Sequence, residues 1–410
     1  MIKFSVSVFF SVGFALLAFG AIYWPEFAGT FSASPGVGLI TIALIIFFWS
    51  KKNRPLMLYK SLKLYYLLWI PILGSIVSFG IFGWNPLFAS KFFTLGLLSV
   101  IWLAPLMLID EICIKQIYYA SICGFVICLI GYLLSDLNPN LMPEQIHRIV
   151  FGGIFADYSD LRPRGFSEEP SQFSTTLSRY LLIIFLIRES IRPYSAWRLV
   201  SFLVILAVIL GMLGSKGAIL SLAIAFISCG LSWGLMPLLV LIIPLGWFYI
   251  QPQIESLGAD MDLYTSVATR VGLAFAGIVA IAVNPIGYGS YGFYGVVQSF
   301  GRWIIDSFIV NTSLNSIEIT QIVENLINVS IKTTLLDFGI VFGWAFIFLM
   351  FRITGLINMK DLRARTAYIF LLLTALSTSG HLSITFFMGM AILLRLYPSK
   401  KSPIQFNNIH

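Results

Sequence analysis

The sequence predicts an all-α polytopic membrane protein of about twelve transmembrane helices, with both termini on the cytoplasmic side. Three observations predict it. Charged residues are only 11% of the 410, and 58% are hydrophobic, where soluble domains carry about 25% charge. Apolar runs of about 15 to 25 residues recur along the chain, close to the length a helix needs to cross a bilayer. The lysines and arginines gather in alternate loops, as the positive-inside rule requires.

In order, apolar segments are expected at about 4–24, 35–50, 63–83, 91–109, 117–134, 174–187, 199–213, 217–231, 235–250, 333–351, 366–379 and 382–396. The first has only Lys3 ahead of it and lacks a small-residue cleavage site, so it reads as a retained span rather than a removed signal peptide. With the N-terminus inside, the basic runs at 51–63, 188–198, 352–365 and 395–401 all become cytoplasmic. Most acidic residues then lie outside. The formal charge of +8 therefore belongs to cytoplasmic loops and implies no nucleic-acid partner. The last two segments are short and join around His381, as a full hairpin or a re-entrant pair. The four cysteines lie in or beside apolar segments, with neither a disulfide framework nor a zinc spacing.

The same count puts two large loops, 135–173 and 251–332, on the external face. Val271 to Val283 is an apolar run too short to span and reads as an interfacial or re-entrant helix. No internal repeat or low-complexity linker divides the chain, so residues 1–410 are expected to form a single integral membrane domain.

The chemistry concentrates on that external face. Arg162, Arg164, Arg179, Lys216, Arg270 and Arg302 are external cations close to the membrane, suited to gripping the phosphate oxygens of a lipid or to snorkelling among headgroups. Glu168 and Glu169 are carboxylates placed for general-base work, or for ion pairs with Arg162 and Arg164. Ser167 or Glu168 precedes a helix with Pro170 in its first turn. Lys216 lies in the tight turn Gly214-Ser215-Lys216-Gly217, whose glycines admit close approach. Tyr288 and Tyr291 alternate with glycines, a setting for stacking on sugar rings or for an interfacial belt. Asp337, at the start of an apolar span, is an intramembrane carboxylate or a helix cap. His381 sits near the external end. Asp260-Met261-Asp262 is too short a pattern to assign a metal, and His147 is isolated. No P-loop, dinucleotide fingerprint or hydrolase elbow is present. No cofactor or metal is expected.

Taken in order, these pieces resemble the O-antigen polymerase and ligase superfamily of bacterial inner-membrane glycosyltransferases. Arg164 to Phe173 looks like the family's Arg-x-Gly…Glu-Pro-Ser-x-Phe segment. Gly214 to Ala218 looks like its Gly-Ser-Arg-Gly turn, with lysine for arginine. Arg270, followed by an apolar helix and Asn284-Pro285-Ile286-Gly287-Tyr288-Gly289, resembles the Arg…Asn-Pro-x-x-Gly-x-Gly part of the large external loop. Leu335 to Gly343 looks like the Leu-x-x-Glu-x-Gly-x-x-Gly run that closes it, with Asp337 near the acidic position. The likeness covers about residues 160 to 345.

The resemblance implies a C-type glycosyltransferase fold with both large loops periplasmic, and an enzyme of the inner membrane using no nucleotide sugar and no metal. Donor and acceptor would be undecaprenyl-diphosphate-linked oligosaccharides, with membrane lipids, a chain-length regulator and a flippase as further partners. Glu168 or Glu169 would deprotonate the acceptor hydroxyl, while Arg164 and Arg270 act on the departing diphosphate. Arg162, Lys216, Tyr288, Tyr291, Arg302, Asp337 and His381 would bind substrate. Ligases carry a histidine upstream of the closing run, where this chain has Asn328-Val329. The polymerase branch is therefore expected, with ligase next and a lipid-linked oligosaccharide flippase third.

Overall fold

A computed structural model describes residues 2–20, 22–23, 32–50, 76, 80, 101–137, 163–167, 170–228, 282–284, 349–377 and 383–399. They are mostly helical. Eight helices organise them: α1 (Ile2–Leu16), α2 (Pro35–Ser50), α3 (Ile114–Tyr132), α4 (Pro170–Ser190), α5 (Ala196–Met212), α6 (Lys216–Ser228), α7 (Leu362–Ser377) and α8 (Ile384–Leu396). The chain divides into two compact units, one made of Met1–Leu62, Val100–Cys229 and Arg352–His410, the other of Lys63–Ser99 and Gly230–Phe351. The eight helices all belong to the first unit.

Among the described residues α3 is long and apolar enough to cross a membrane, and α2, α5, α8 and the helical stretch Lys3–Phe19 are shorter apolar helices. Eight of the expected segments carry helix across most of their length, and 101–108 and 349–351 continue two more. Apart from residues 76, 80 and 282–283, the segments at 63–83 and 235–250 and the interfacial helix in the second loop lie outside the described residues.

Helix boundaries follow local chemistry more closely than hydropathy. α1 ends earlier than its apolar run because Gly20 adopts φ +64°, a left-handed conformation that stops a helix at little cost only in glycine. Ile22–Tyr23 then pairs antiparallel with Ser32–Ala33, using β-branched and aromatic residues that suit a strand. α2 starts where Ser34 precedes Pro35. The Ser34 hydroxyl accepts from Gly36 N at 3.3 Å, and proline fits the first helical position, whose N–H has no intrahelical acceptor. α4 likewise begins on Pro170, as expected.

The helices pack as a connected bundle: α2 on α1, α1 on α3, α3 on α4, α4 on α8, α5 and α7, and α6 on α5 and α7. Glycines set the closest approaches. A Cβ at Gly36 would lie 2.3 Å from the Gly13 carbonyl, so α1 and α2 touch backbone to backbone. Tyr180, fully buried, lies over Gly124 and donates from its hydroxyl to the Phe14 carbonyl at 2.5 Å. One ring thus fastens α1, α3 and α4. A Cβ at Gly124 would fall 2.5 Å from the Tyr180 ring. Gly124→Ala should therefore lower stability by about 1–3 kcal/mol through overpacking. Gly38→Ala, where a Cβ meets nothing within 4 Å, should be neutral or slightly stabilising. Thermal unfolding of both variants in one detergent checks the contrast.

The two ends of the bundle differ. At one end Glu189, buried, accepts from Arg198 Nε at 2.8 Å. Arg363 donates to the Glu189 carbonyl at 2.6 Å and pairs with Asp361 at 2.7 Å. Its side-chain bond to Asp361 comes first among the causes that raise its pKa above the usual guanidinium value. Its guanidinium also faces the rings of Tyr194 and Tyr397 at 5.6 and 5.2 Å. Arg395 donates to the Ile112 carbonyl at 2.6 Å, and Lys3 pairs with Glu111 at 3.5 Å. The basic segments around 188–198, 352–365 and 395 thus meet at one end of the bundle.

Candidate functional site

The opposite end holds the segments that carry the expected chemistry. After α3 the chain continues as a single wide turn, Leu133–Leu137, which presents the Asp136 carboxylate inward. Its two oxygens accept from the backbone N–H groups of Arg164 at 3.1 Å and Gly165 at 2.9 Å. A carboxylate receiving two adjacent backbone donors holds them with charge-assisted bonds, stronger than neutral ones. The peptide it holds is the Pro163-Arg164-Gly165-Phe166-Ser167 turn, closed by Ser167 N donating to the Arg164 carbonyl at 3.0 Å.

That turn is fitted tightly into its surroundings. Gly165 adopts φ +55°, and a Cβ there would fall 2.5 Å from the Phe173 ring. The Phe166 side chain, 5% exposed, fills the gap between α1 and α3. It lies against Phe19 with ring centroids 5.3 Å apart. A Cβ at Gly131 would strike its ring, and one at Gly20 would fall 2.5 Å from its carbonyl oxygen. Two glycines from two segments, Gly20 and Gly131, therefore leave the room that Phe166 occupies, and Gly165 leaves room for the Phe173 ring. Arg164 is buried along with the turn.

The second expected motif arrives beside the first. α5 ends at Met212, Gly214 adopts φ +60°, and Ser215 N donates back to the Leu210 carbonyl at 3.1 Å, the glycine-dependent stop of a helix C-terminus. α6 starts at Lys216. The tight turn expected at Gly214 to Gly217 is thus present, and it fixes the backbone of Lys216. Ser174, in the second turn of α4, donates to the Ser215 hydroxyl at 2.9 Å with both side chains buried. This bond joins the segment after Arg164 to the Gly-Ser-Lys turn across 41 positions.

Of the expected site residues, the described set therefore includes Arg164 with its side chain and Lys216 by its backbone. Glu168, Glu169, Arg162, Arg270, Tyr288, Tyr291, Arg302, Asp337 and His381 lie outside the described residues, as do Asp260, Asp262 and His147.

One residue here, Asp136, carries no sequence expectation, and a second, Arg179, departs from its own. Asp136 closes an apolar segment at the start of the first large loop, a position that invites a helix-end role but not a bond 28 residues away. Arg179 is expected among the external cations close to the membrane. It lies instead inside the bundle, 2% exposed, donating from Nη1 to Ser383 Oγ at 2.6 Å and Thr385 Oγ1 at 3.3 Å. Leu182, Ile183 and Leu186 are buried with it and stand three, four and seven positions on. That spacing makes one inward helix face, and it was legible in the sequence.

Over 246 residues the chain is 24% identical to a Klebsiella pneumoniae protein described as an uncharacterized 49.5 kDa protein in cps region, covering 57% of this chain and 54% of that protein. The chain thus spans about half the length of this curated relative. No protein-family profile matches the chain, and no solved structure does.

Proposed function

We propose that this chain is a surface-polysaccharide polymerase of the bacterial inner membrane, joining undecaprenyl-diphosphate-linked repeat units at the periplasmic face. The observation that carries the reading is the Asp136-held Arg164 turn lying beside the Gly214–Lys216 turn at the end of the bundle opposite the basic loops. These are two of the four motifs behind the family resemblance. The relative's place in a cps region, read as capsular polysaccharide, supports the same process. On this reading the Asp136 end faces the periplasm, and the remaining apolar segments complete about twelve spans.

The chemistry proposed is a single inverting displacement. The acceptor hydroxyl attacks the donor's anomeric carbon, its proton passes to Glu168 or Glu169, and the glycosyl–oxygen bond to the diphosphate breaks. Arg164, Lys216 and Arg270 offset the charge that develops on the leaving diphosphate. Tyr288, Tyr291, Arg302, Arg162, Asp337 and His381 would position the glycans. A ligase remains the second reading, disfavoured by Asn328-Val329 where a ligase has its histidine.

A deletion strain complemented with the chain tests the reading through its glycan ladder. Wild type should restore long chains, and Arg270→Ala at equal protein level should leave single repeats, a loss of about 100-fold or more in extension. Restoration of glycan transfer to lipid A core by a chain that extends nothing would favour the ligase. Complete absence of repeats in the deletion strain would favour a flippase.

A further inference from the structure

We propose that Arg179 and the first turn of α8 form an internal binding site for a phosphate-type oxyanion, separate from the Arg164 turn. Arg179 lies nine residues past Pro170, about 13.5 Å along α4 at 1.5 Å per residue. Its guanidinium is held at the start of α8 by Ser383 and Thr385 and lies 5.8 Å from the Phe386 ring centroid. Among the described residues Nε and Nη2 make no hydrogen bond. Those two nitrogens share one edge of the guanidinium, the fork that takes two oxygens of a phosphate or carboxylate at once.

The charge balance points the same way. Among the described residues no carboxylate pairs with Arg179. The group beside it is a helix N-terminus, where aligned peptide dipoles amount to about half a positive charge and the first N–H groups lack intrahelical acceptors. Two positive groups facing each other in an apolar bundle are costly unless an anion joins them. Helix N-termini are themselves anion sites.

Counting protons supplies one more donor. Ser383 Oγ accepts from Arg179 Nη1 and from Phe386 N at 3.3 Å, which occupies both its lone pairs. Its own hydrogen then serves the 2.8 Å contact with Thr385 Oγ1, and the Thr385 hydrogen is left to donate. The Nη1 bonds to Ser383 and Thr385 thus bring a guanidinium, a hydroxyl and a helix start together at one place. That set suits a tetrahedral oxyanion better than a planar carboxylate.

The inference stands apart from the polymerase reading, because its test reads binding and not chain extension. Full-length protein in phosphatidylcholine nanodiscs is titrated calorimetrically with inorganic phosphate and, separately, with farnesyl phosphate, an isoprenoid phosphate monoester. Arg179→Lys keeps the charge but loses the fork and should bind about tenfold more weakly, while Arg179→Met should not bind measurably. Thr385→Val, which keeps the shape and removes one donor, should weaken binding about fivefold and carries the test if the Arg179 variants fail to fold. Arg179-dependent binding of both probes assigns the site to a free or lipid-borne phosphate head; binding of farnesyl phosphate alone assigns it to a lipid. Wild type that binds neither probe, or variants that bind as wild type does, overturns the proposal.

Discussion

Arg164→Ala should accumulate to wild-type levels in the membrane and yet cut chain extension by about 100-fold or more, leaving glycans of single repeats. The turn that bears Arg164 is located by other groups. Asp136 holds its backbone, Gly165 supplies its left-handed φ, and Phe166 seats it among Gly20, Gly131 and Phe19. None of these depends on the Arg164 side chain, so its removal should cost the fold far less than it costs the reaction. The expected loss follows from removing one preorganised cation at the point where leaving-group charge develops, an effect of about 2.7–4 kcal/mol in comparable sites. Arg164→Lys should fall between the two, because an ammonium keeps the charge but not the planar fork. Ladder electrophoresis of the complemented strains, read beside protein level in the membrane fraction, makes the measurement. Long chains from Arg164→Ala would remove this residue from the mechanism.

How much of this was legible in the sequence depends on how local the cause is. Helix starts set by a serine or proline, at Ser34-Pro35 and at Pro170, could be read directly, and so could the glycine turn at Gly214. Their causes lie within a few residues. The premature end of α1 could not be read from hydropathy, which runs on through Ile22 and Tyr23. It needed attention to Gly20, and Gly20 matters because Phe166 comes to rest against it from 146 positions away. The role of Asp136 is not legible in the sequence for the same kind of reason. An acidic residue at the end of an apolar segment is ordinary, and only the fold shows which two N–H groups it serves. Arg179 is the intermediate case. Its inward stripe was available in the spacing of Leu182, Ile183 and Leu186, but charge alone suggested a headgroup. The family resemblance pointed to the Arg164 and Lys216 segments, and the Ser174–Ser215 bond that brings those segments together was not readable from either one.

Asp136 gives the second large expected effect, and a sharper one, because it acts on a residue it does not resemble. Asp136→Ala removes the acceptor of two backbone donors in a buried turn. Leaving each unsatisfied costs about 1–3 kcal/mol, enough to release the turn without unfolding helices fastened elsewhere by Tyr180 and by the Glu189–Arg198–Arg363 cluster. Chain extension should then fall about as far as in Arg164→Ala, although Arg164 itself is intact. Amide hydrogen exchange at Arg164 and Gly165 should rise sharply, while exchange in α1 and α4 stays slow. Asp136→Asn retains one acceptor oxygen in place of two, so it should keep one of the bonds and an intermediate activity. The double variant Asp136→Ala with Arg164→Ala should be little worse than either single one, since residues that act as a unit do not add. Additive losses would mean that Asp136 supports the reaction by some route other than the turn. Normal extension by Asp136→Ala would mean that the position of Arg164 does not matter to it.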